Sequence, residues 1–367
     1  MTVHLPYVGL RPYEKSEGSY FCGRRGEVSV LLDAYLEQAA EKGKLLIIYG
    51  PSAVGKTSMV QAGLWPIVRL EKDVARFERI VPTFEDDLAS FSQRVRAIVG
   101  RMSGGASAER TLVFIDEIDQ VFGYPLNGEL EDETRLVLVK LLEFLVEASK
   151  RGIARILIGV SEPWSRFLED APTSQQFLAN ALDFFRLNHM STSGMEEFLR
   201  LPVARWKKAP KDAVGVVDQT FFYDFYGEIS ANPASLPLAN YTLERILETG
   251  DKTKAFDYVA YREMGGLLGA MLQYIEEVYY SWPEELQAKL PIFLELFRAA
   301  STENSEHDVR CAQVNPLVAD PDAREVFGNL LHARILCLKG DRWNNAEAQL
   351  AHDRLFEKWP RSTVGAY

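Results

Sequence analysis

The sequence predicts an α/β fold in its first half, built on a parallel sheet, followed by two smaller and mainly helical units. Two observations support this prediction. Short apolar runs alternate with helical segments over the first 190 residues, as parallel strands and crossover helices do. After residue 190 helical spacing dominates, apart from two short strand-like runs near the C-terminus. A chain of 367 residues is long enough for two or three domains with sizeable cores.

The first half opens with a lead-in and a strand. Residues 1 to about 26 are rich in Pro, Gly and aromatic residues, and we expect an ordered loop packed on the first domain. Residues 44–49 (KLLIIY) form an apolar run typical of a strand buried on both faces. The segment after residue 57 has helical spacing, with Pro66 near its end. Further strands are predicted at 77–84, 111–115, 154–160 and 184–190, and helices at 27–43, 85–100 and 135–152.

The second half reads mainly as helices. Helical spacing at 191–206 and 236–250 predicts a small helical domain. Longer helical segments follow at 266–282 and 291–300, and Lys339-Gly340-Asp341 lies between two possible short strands, as in a β-hairpin. Helices with such a hairpin predict a winged helix. We therefore expect three domains, at 1–190, 191–262 and 263–367.

The segment between the first strand and its helix carries a phosphate-binding pattern, Gly50-x-x-x-x-Gly55-Lys56-Thr57. The two glycines permit backbone angles and close approaches that a Cβ would block. The backbone N–H groups of such a loop surround polyphosphate oxygens, the lysine reaches the β- and γ-phosphates, and the threonine hydroxyl binds Mg²⁺. A chance match is the alternative, and the strand before the loop and the helix after it argue against that.

A second strand ends in carboxylates. Thr111–Ile115 (TLVFI) is followed by Asp116 and Glu117, with Asp119 two residues further on. The carboxyl ends of parallel strands are where such sheets bind ligands. We expect Asp116 to be the Mg²⁺ partner and Glu117 to orient and deprotonate the attacking water. The alternative for all three, strongest for Asp119, is an acidic cap on the next helix.

Composition limits the partners of the chain. The net charge of −11 does not favour nucleic acid or membranes as the default partner of the whole chain. No apolar run approaches the ~20 residues of a transmembrane helix, and the N-terminus lacks the features of a signal peptide, so we expect a cytoplasmic protein. Cys22, Cys311 and Cys337 are isolated, which favours packing over metal binding or disulfides.

These motifs, in their order and spacing, resemble the STAND class of signalling NTPases, in particular its novel-STAND branch, a group related to AAA+ ATPases. The resemblance extends from about residue 6 to residue 360 and rests on PYVGLRPY, FCGRRGE, GPSAVGKTS, the acidic strand, ANPASLPLA and LAHDRLFEKWP. It implies a P-loop nucleotide-binding core with a parallel sheet, followed by a helical lid domain and a winged-helix domain.

The resemblance also implies a set of site residues. Lys56, Asp116 and Glu117 would be catalytic, and Thr57 and Asp116 would hold Mg²⁺. His352 would contact the β-phosphate of ADP in the resting state, although a histidine in this setting is, without the resemblance, more often a partly buried helix residue. The residues implied to bind ATP or ADP are Gly23, Arg24, Gly50, Pro51, Ser52, Ala53, Val54, Gly55, Lys56, Thr57, Ser58, Ser161, Pro237 and His352.

Three positions depart from the family pattern. Ser161 stands where many relatives carry an arginine that senses the γ-phosphate; Arg166 either replaces that arginine or is a solvated helix charge. Glu117 stands where relatives commonly have glutamine, which favours competence for hydrolysis. Ser235 stands where the family often has glycine, two residues before the lid proline Pro237.

The function implied is a molecular switch that is closed with ADP and open, as a homo-oligomer or hetero-complex, with ATP. The family module fills the chain, so effector or sensor parts are either separate proteins, as we expect, or belong to a larger protein of which this chain is a fragment. A regulatory ATPase subunit of a bacterial conflict or anti-phage system is the first hypothesis. The alternatives are a transcription regulator that uses the winged helix on DNA and a housekeeping ATPase with high partner-free turnover.

Overall fold

The computed structural model describes most of the chain. The described residues are 5–70, 74–83, 86–102, 111–122, 130–170, 178, 180–206, 219–231, 236–249, 256–301, 311–339, 346–350 and 355–362. Among them, no helix is long and apolar enough to cross a membrane.

The first half folds around a five-stranded parallel sheet, which confirms the predicted α/β class. The strand order is β2-β3-β4-β1-β5, so β4 lies between β1 and β3. The strands are β1 (Leu45–Gly50), β2 (Arg76–Ile80), β3 (Thr111–Ile115), β4 (Ala154–Ser161) and β5 (Leu182–Arg186). All carboxyl ends therefore meet at one edge, where β1 and β3 are followed by the phosphate loop and the carboxylates.

Both faces of this sheet are buried. Successive strand residues point to opposite faces. Leu45 and Ile47 accordingly belong to one hydrophobic core, and Leu46 and Ile48 belong to the other. Burial on both faces explains why these strands appear in the sequence as uninterrupted apolar runs.

Helices cover the two faces of the sheet. The segment after the phosphate loop is helical throughout, but its middle turn, Met59–Leu64, is a π-helix, a form that is frequent at functional sites. The α-helices of this half are α1 (Arg25–Ala40), α2 (Lys56–Ser58), α3 (Trp65–Leu70), α4 (Leu88–Met102), α5 (Asp132–Lys150) and α6 (Glu162–Asp170), and a 3₁₀ turn spans Ile118–Val121.

The helical region that follows is joined to the core by the lead-in. Its helices are α7 (Thr192–Arg205), α8 (Gln219–Ala231), α9 (Leu236–Thr249), α10 (Tyr258–Met264) and α11 (Gly266–Ser281). The backbone N–H of Tyr13 donates to Ser58 Oγ at 3.1 Å, and its hydroxyl donates to Asn240 Oδ1 on α9 at 3.2 Å. One lead-in residue thus connects the helix after the phosphate loop to the helical region.

The C-terminal part combines helices with a small antiparallel sheet in the order β6-β8-β7. Strands β7 and β8 are the pair that the sequence predicts on either side of Lys339-Gly340-Asp341; residues 340 and 341 lie outside the described part. The elements are α12 (Glu284–Ala299), β6 (Cys311–Gln313), α13 (Val314–Ala319), α14 (Pro321–His332), β7 (Leu336–Lys339), β8 (Glu347–Leu350) and α15 (Leu355–Lys358), with a 3₁₀ turn at Pro360–Ser362.

Three predicted boundaries differ from the structure by four residues or more. Strand β2 ends at Ile80, because Pro82 has no N–H to continue the ladder. Strand β5 ends at Arg186 rather than residue 190, because its partner β1 ends at Gly50; the last ladder bond is the N–H of Leu187 donating to the Tyr49 carbonyl at 2.8 Å. Helix α12 begins at residue 284, not 291, because glutamates in its first turn suit the helix dipole.

Candidate nucleotide-binding site

The phosphate loop has the backbone that its glycines predict. Gly50 has φ 155°, and a Cβ there would lie 2.2 Å from the Leu187 carbonyl oxygen. Gly55 has φ 99°, in the left-handed region. Ala53 also has a positive φ, 62°, which is uncommon for a residue with a side chain. Of the other loop residues, Val54 and Ser58 are buried and Pro51 and Ser52 are partly buried.

Lys56 folds back over this loop. Its ammonium Nζ donates to the carbonyl oxygens of Gly50 at 3.0 Å and Pro51 at 2.9 Å. Burial lowers the pKa of Lys56, against the opposing effect of nearby carboxylates, with that of Asp119 the strongest. A cation that donates its hydrogen bonds to neutral carbonyl groups of a phosphate loop is suited to bind an anion.

Asp116 is held by two partners at the end of β3. It is 1% exposed, and its Oδ2 accepts the Thr57 hydroxyl at 2.8 Å and Arg79 Nη2 at 2.7 Å. Strand β4 runs between Asp116 and the loop, and Gly159 leaves the space that the carboxylate needs. A Cβ on Gly159 would lie 2.7 Å from Asp116 Oδ1.

The Asp116 and Thr57 oxygens fit Mg²⁺. Both are hard oxygen donors, they are adjacent, and the side chain of Asp116 occupies a space that a Cβ on β4 would fill. No cluster of three or more His, Cys, Asp or Glu side chains suited to a metal occurs in the part of the chain that the structure describes. Mg²⁺ at this position would therefore complete its coordination with phosphate oxygens and water, as it does in many nucleotide sites.

Glu117 has a strained backbone and a perturbed carboxyl group. Its φ is 55°, and its Oε2 accepts Gln120 Nε2 at 2.8 Å. Burial and the charge of Asp116 raise the pKa of Glu117, while Arg334 acts in the opposite sense. The Arg334 guanidinium lies 3.9 Å from Glu117 Oε1 and comes from the turn between α14 and β7. A carboxylate with a raised pKa is the better general base near neutral pH.

Asp119 and Ser161 meet behind the loop. The backbone N–H of Ser161 donates to Asp119 Oδ1 at 3.3 Å, and burial raises the pKa of Asp119. Arg166, the alternative candidate for γ-phosphate sensing, is 46% exposed, and its guanidinium forms an ion pair with Glu169 on its own helix.

On the other side of the loop, Arg24 borders a cavity of about 290 Å³ between the core and the helical region. Its guanidinium is buried and donates to the carbonyl oxygens of Asn188 at 2.8 Å and Val54 at 3.1 Å. Gly23 has φ 84°, and a Cβ there would lie 2.2 Å from the carbonyl oxygen of Gly194 on α7. The family resemblance implies that both residues lie near the adenine side of a bound nucleotide.

His189 also lines this cavity, together with Tyr226 and Leu236 from the helical region. Burial and the neighbouring charge of Arg24 lower the pKa of His189, so its imidazole is neutral near pH 7. A neutral imidazole can both donate and accept hydrogen bonds, as base recognition requires. Pro237, the proposed lid proline, is buried on α9 and lines an adjoining cavity with Ala53 and Gly55. His352 and Ser235 lie outside the described residues.

The sequence comparison agrees with this geometry. The model of the family described as novel STAND NTPase 1 matches residues 6–363. The chain belongs to this family. No curated protein matches the chain.

Solved structures were also compared with this novel STAND NTPase. The Aeropyrum pernix ORC2 protein, solved as ADPNP-ADP complexes, is 15% identical, with a TM-score of 0.43, and the match covers 93% of this chain and 94% of that chain. Drosophila ORC bound to DNA is 14% identical, with a TM-score of 0.37, and the match covers 96% of this chain and 92% of that chain.

Three site residues of this novel STAND NTPase were missed by the sequence analysis: Arg79, His189 and Arg334. Arg79 is recognisable only once β2 is known to pair with β3, which brings it beside Asp116. His189 follows β5 in a segment that the sequence assigns to the strand itself. For Arg334 the sequence offered only a mildly basic stretch, HARILCLKGDRW.

Proposed function

We propose that this chain is an ATP/ADP-dependent molecular switch with slow, Mg²⁺-dependent ATPase activity. The observation that supports this most strongly is a single cavity lined by separate parts of the chain. The loop contributes residues 53–55, α9 contributes Pro237 and Asn240, and the C-terminal part contributes Arg334. A nucleotide that extends from this cavity into the adjoining one of about 290 Å³ would contact all three, so the gain or loss of a phosphate would change what holds them together.

The switch would act between the proposed domains, 1–190, 191–262 and 263–367. ADP would favour a closed monomer, and exchange for ATP would favour an open form that oligomerises. Converting a mostly closed population into a mostly open one takes roughly 5.5 kcal/mol of differential affinity. Nucleotide would therefore act together with a partner or trigger, and hydrolysis to ADP would hold the chain in the closed form once it has closed.

The chemistry proposed for the closed site is direct hydrolysis. Glu117 would accept a proton from water as the water oxygen attacks the γ-phosphorus, and the bond to the bridging oxygen would break, leaving ADP and inorganic phosphate. Lys56 would bind the β- and γ-phosphate oxygens. Mg²⁺, when bound with the nucleotide beside Thr57 and Asp116, supplies further neutralisation of phosphate charge.

Nucleotide binding tests the proposal directly. In Lys56→Ala we expect ADP and ATP affinity to fall at least about 100-fold by isothermal titration calorimetry, since a buried charge-assisted contact is removed. Lys44→Ala is the matched control, because Lys44 lies at the opposite end of β1 and pairs with Asp183 at 3.1 Å. A Lys56→Ala protein with wild-type affinity would overturn the site assignment.

We further propose that the chain is the regulatory ATPase of a multi-protein bacterial conflict or anti-phage system with separate effector proteins, which rests on family analogy. Tagged wild-type, Lys56→Ala and Glu117→Gln chains would be purified from the native host. A nuclease, protease or other toxic effector enriched with Glu117→Gln over Lys56→Ala is the expected result. Enrichment of one specific DNA sequence without a protein effector would instead support the transcription regulator.

A further inference from the structure

Arg334 occupies a turn position that suits glycine. The turn after α14 has the hydrogen bonds of a Schellman motif, with the N–H of Arg334 donating to the Leu331 carbonyl at 2.9 Å and the N–H of Ile335 donating to the Leu330 carbonyl at 2.9 Å. Arg334 takes the left-handed position of this motif, with φ 59°. Glycine is the usual residue there because a Cβ is strained. An arginine at this position calls for a role of its side chain.

Residues of the nucleotide site have the same kind of strained backbone. Within the described ranges, the non-glycine residues with positive φ are Ala53, Glu117 and Arg334. Ala53 lies in the phosphate loop and Glu117 follows Asp116, so the first two are already site residues. Strained backbone of this kind persists at sites where geometry matters for function. Arg334 comes from a distant part of the chain and meets the same site.

The Arg334 side chain faces the position of the phosphates. It lines one cavity with Ala53 and Gly55, and its Nη2 lies 3.9 Å from Glu117 Oε1. This separation is long for an ion pair, and both side chains are partly exposed, so the pairing is weak. Burial lowers the pKa of Lys56, and the positive charge of Arg334 adds to that effect. The charges of Lys56 and Arg334 are thus close enough to repel each other, which favours an anion between them.

A residue of the helical region holds the Arg334 turn in place. The hydroxyl of Tyr274, on α11, donates to the carbonyl of Ala333 at 3.1 Å. The Tyr274 ring packs against Tyr241 of α9, with ring centroids 5.6 Å apart. The position of the guanidinium is therefore coupled to the helix that carries Pro237.

We propose that Arg334 binds the γ-phosphate of a nucleoside triphosphate, so that the C-terminal part of the same chain supplies an arginine to this site. This inference rests on the proposed function and adds a catalytic residue to it. The planar guanidinium can take two phosphate oxygens at once, and a doubly charged phosphate competes well with the weakly held Glu117. The released carboxylate is then free to accept the proton of the attacking water.

The consequence is that hydrolysis depends on closure. As water attacks the γ-phosphorus and the electron pair of the broken bond leaves on ADP, Arg334 stabilises charge on the γ-phosphate oxygens and is itself unchanged. An open chain lacks Arg334 at the phosphates and keeps its ATP; the contact itself favours the closed form, so opening with ATP requires the partner or trigger of the proposed function. Closure restores the arginine and commits the nucleotide to ADP and inorganic phosphate.

The test compares ADP with a non-hydrolysable ATP analogue in wild type and in Arg334→Gly, a change that also relieves the strained turn. Under the proposed function nucleotide alone does not complete the opening, so most molecules in this binding measurement are closed. We expect Arg334→Gly to weaken binding of the ATP analogue about 10- to 100-fold, the range of a charge-assisted bond, and to change ADP affinity less than about twofold. Arg334→Lys should restore part of the loss. Arg324→Ala, which removes an exposed arginine from α14, is the control for net charge.

The outcomes separate this inference from the proposed function. If wild type binds both nucleotides and Arg334→Gly keeps the wild-type ratio of the two affinities, Arg334 does not contact the γ-phosphate, while the proposed function stands. If wild type binds neither nucleotide, the proposed function fails and this inference fails with it. A thermal midpoint of Arg334→Gly equal to or above that of wild type shows that the lost binding is not caused by misfolding.

Discussion

Arg79 Nη2 lies 2.7 Å from Asp116 Oδ2, on the same carboxylate oxygen that accepts the Thr57 hydroxyl. Asp116 is almost fully buried, whereas the Arg79 side chain is 26% exposed. The guanidinium is thus a counter-ion of the carboxylate that the sequence assigns to Mg²⁺. Mg²⁺ must either share this oxygen with Arg79 or displace it.

Arg79→Gln should therefore destabilise the nucleotide-free protein more than the loaded protein. Removal of one partner of a fully buried pair costs about 3–5 kcal/mol, and the partial exposure of Arg79 reduces our expectation to about 2 kcal/mol. Urea unfolding measures the loss of unfolding free energy in the variant. That loss should fall below about 1 kcal/mol with saturating Mg²⁺ and ADP, because the metal ion replaces the lost charge. Arg76→Gln, at the exposed opposite end of β2, is the control. An equal loss with and without Mg²⁺ would mean that the two cations do not compete.

Glu117→Gln should separate binding from hydrolysis. The amide keeps the shape of the side chain but cannot accept a proton, so single-turnover hydrolysis should fall at least about 100-fold. Affinity for a non-hydrolysable ATP analogue should stay within about threefold, which makes this the variant that traps an ATP-bound chain. Glu78→Gln, on the exposed face of β2, should hydrolyse ATP like wild type. Undiminished turnover in Glu117→Gln would place the base elsewhere.

Gly159→Ala should disturb Asp116 from the neighbouring strand. The added Cβ would lie 2.7 Å from Asp116 Oδ1 and 3.1 Å from ring atoms of Phe114, so the carboxylate must move from its position beside Thr57. Overpacking of this kind costs about 1–3 kcal/mol. We expect calorimetry to show weaker nucleotide binding with Mg²⁺ and little change in its absence.

Gly100→Ala is the control for Gly159→Ala, because it adds the same methyl group where no neighbouring atom is close. A Cβ on Gly100, in α4, would meet no atom within 4 Å. Gly100→Ala should raise stability by about 0.5–1 kcal/mol, because alanine is the better helix former. If Gly159→Ala leaves Mg²⁺-dependent binding intact, the space beside Gly159 is not what positions Asp116.

Glu244→Gln should stabilise the protein at pH 8 and not at pH 4. Burial and the charge of Glu248 raise the pKa of Glu244 from its usual 4.5 to about 6, against the opposing effects of Arg11 and Arg245. The unfolded chain therefore loses this proton at a lower pH than the folded chain does. Deprotonation thus favours unfolding, and wild-type stability falls as the pH rises from about 4.5 to about 6. A pKa shift of this size corresponds to about 2 kcal/mol of unfolding free energy for a fully buried group. The partial exposure of Glu244 reduces the expected effect to about 1 kcal/mol.

Chemical unfolding of Glu244→Gln and wild type at several pH values measures how the stability difference between the two proteins changes with pH. Glu147→Gln, an exposed carboxylate on α5, is the control and should show no trend. A stability gain in Glu244→Gln that is the same at pH 4 and pH 8 would mean that the side chain acts through packing rather than through its charge.

The sequence predicted those parts of the fold whose physical cause is local. Strands buried on both faces must be apolar throughout, so β1 and β3 could be located from composition alone. The phosphate loop needs glycines at fixed spacing, and the positive φ values of Gly50 and Gly55 agree with that need. The start of α7 was also predicted, because Ser191 caps it by accepting the N–H of Gly194.

The parts that were not predicted depend on how distant segments meet. Gly159 looks like any strand glycine until β4 is placed between β1 and β3. Arg79 becomes a partner of Asp116 only through the pairing of β2 with β3. Arg334 approaches Glu117 from beyond the helical region, and no periodicity in its own segment indicates that contact.

The central claim is that the nucleotide changes how the C-terminal part sits on the core, and an interspin distance measures this most directly. Spin labels would be placed at exposed positions on α5 (Glu147→Cys) and α14 (Arg324→Cys), with Cys311→Ser to avoid labelling a partly exposed native cysteine. We expect one short distance with ADP and a second, longer population with a non-hydrolysable ATP analogue, absent in Lys56→Ala. The same single distance with both nucleotides, in a chain shown to bind both, would contradict the switch.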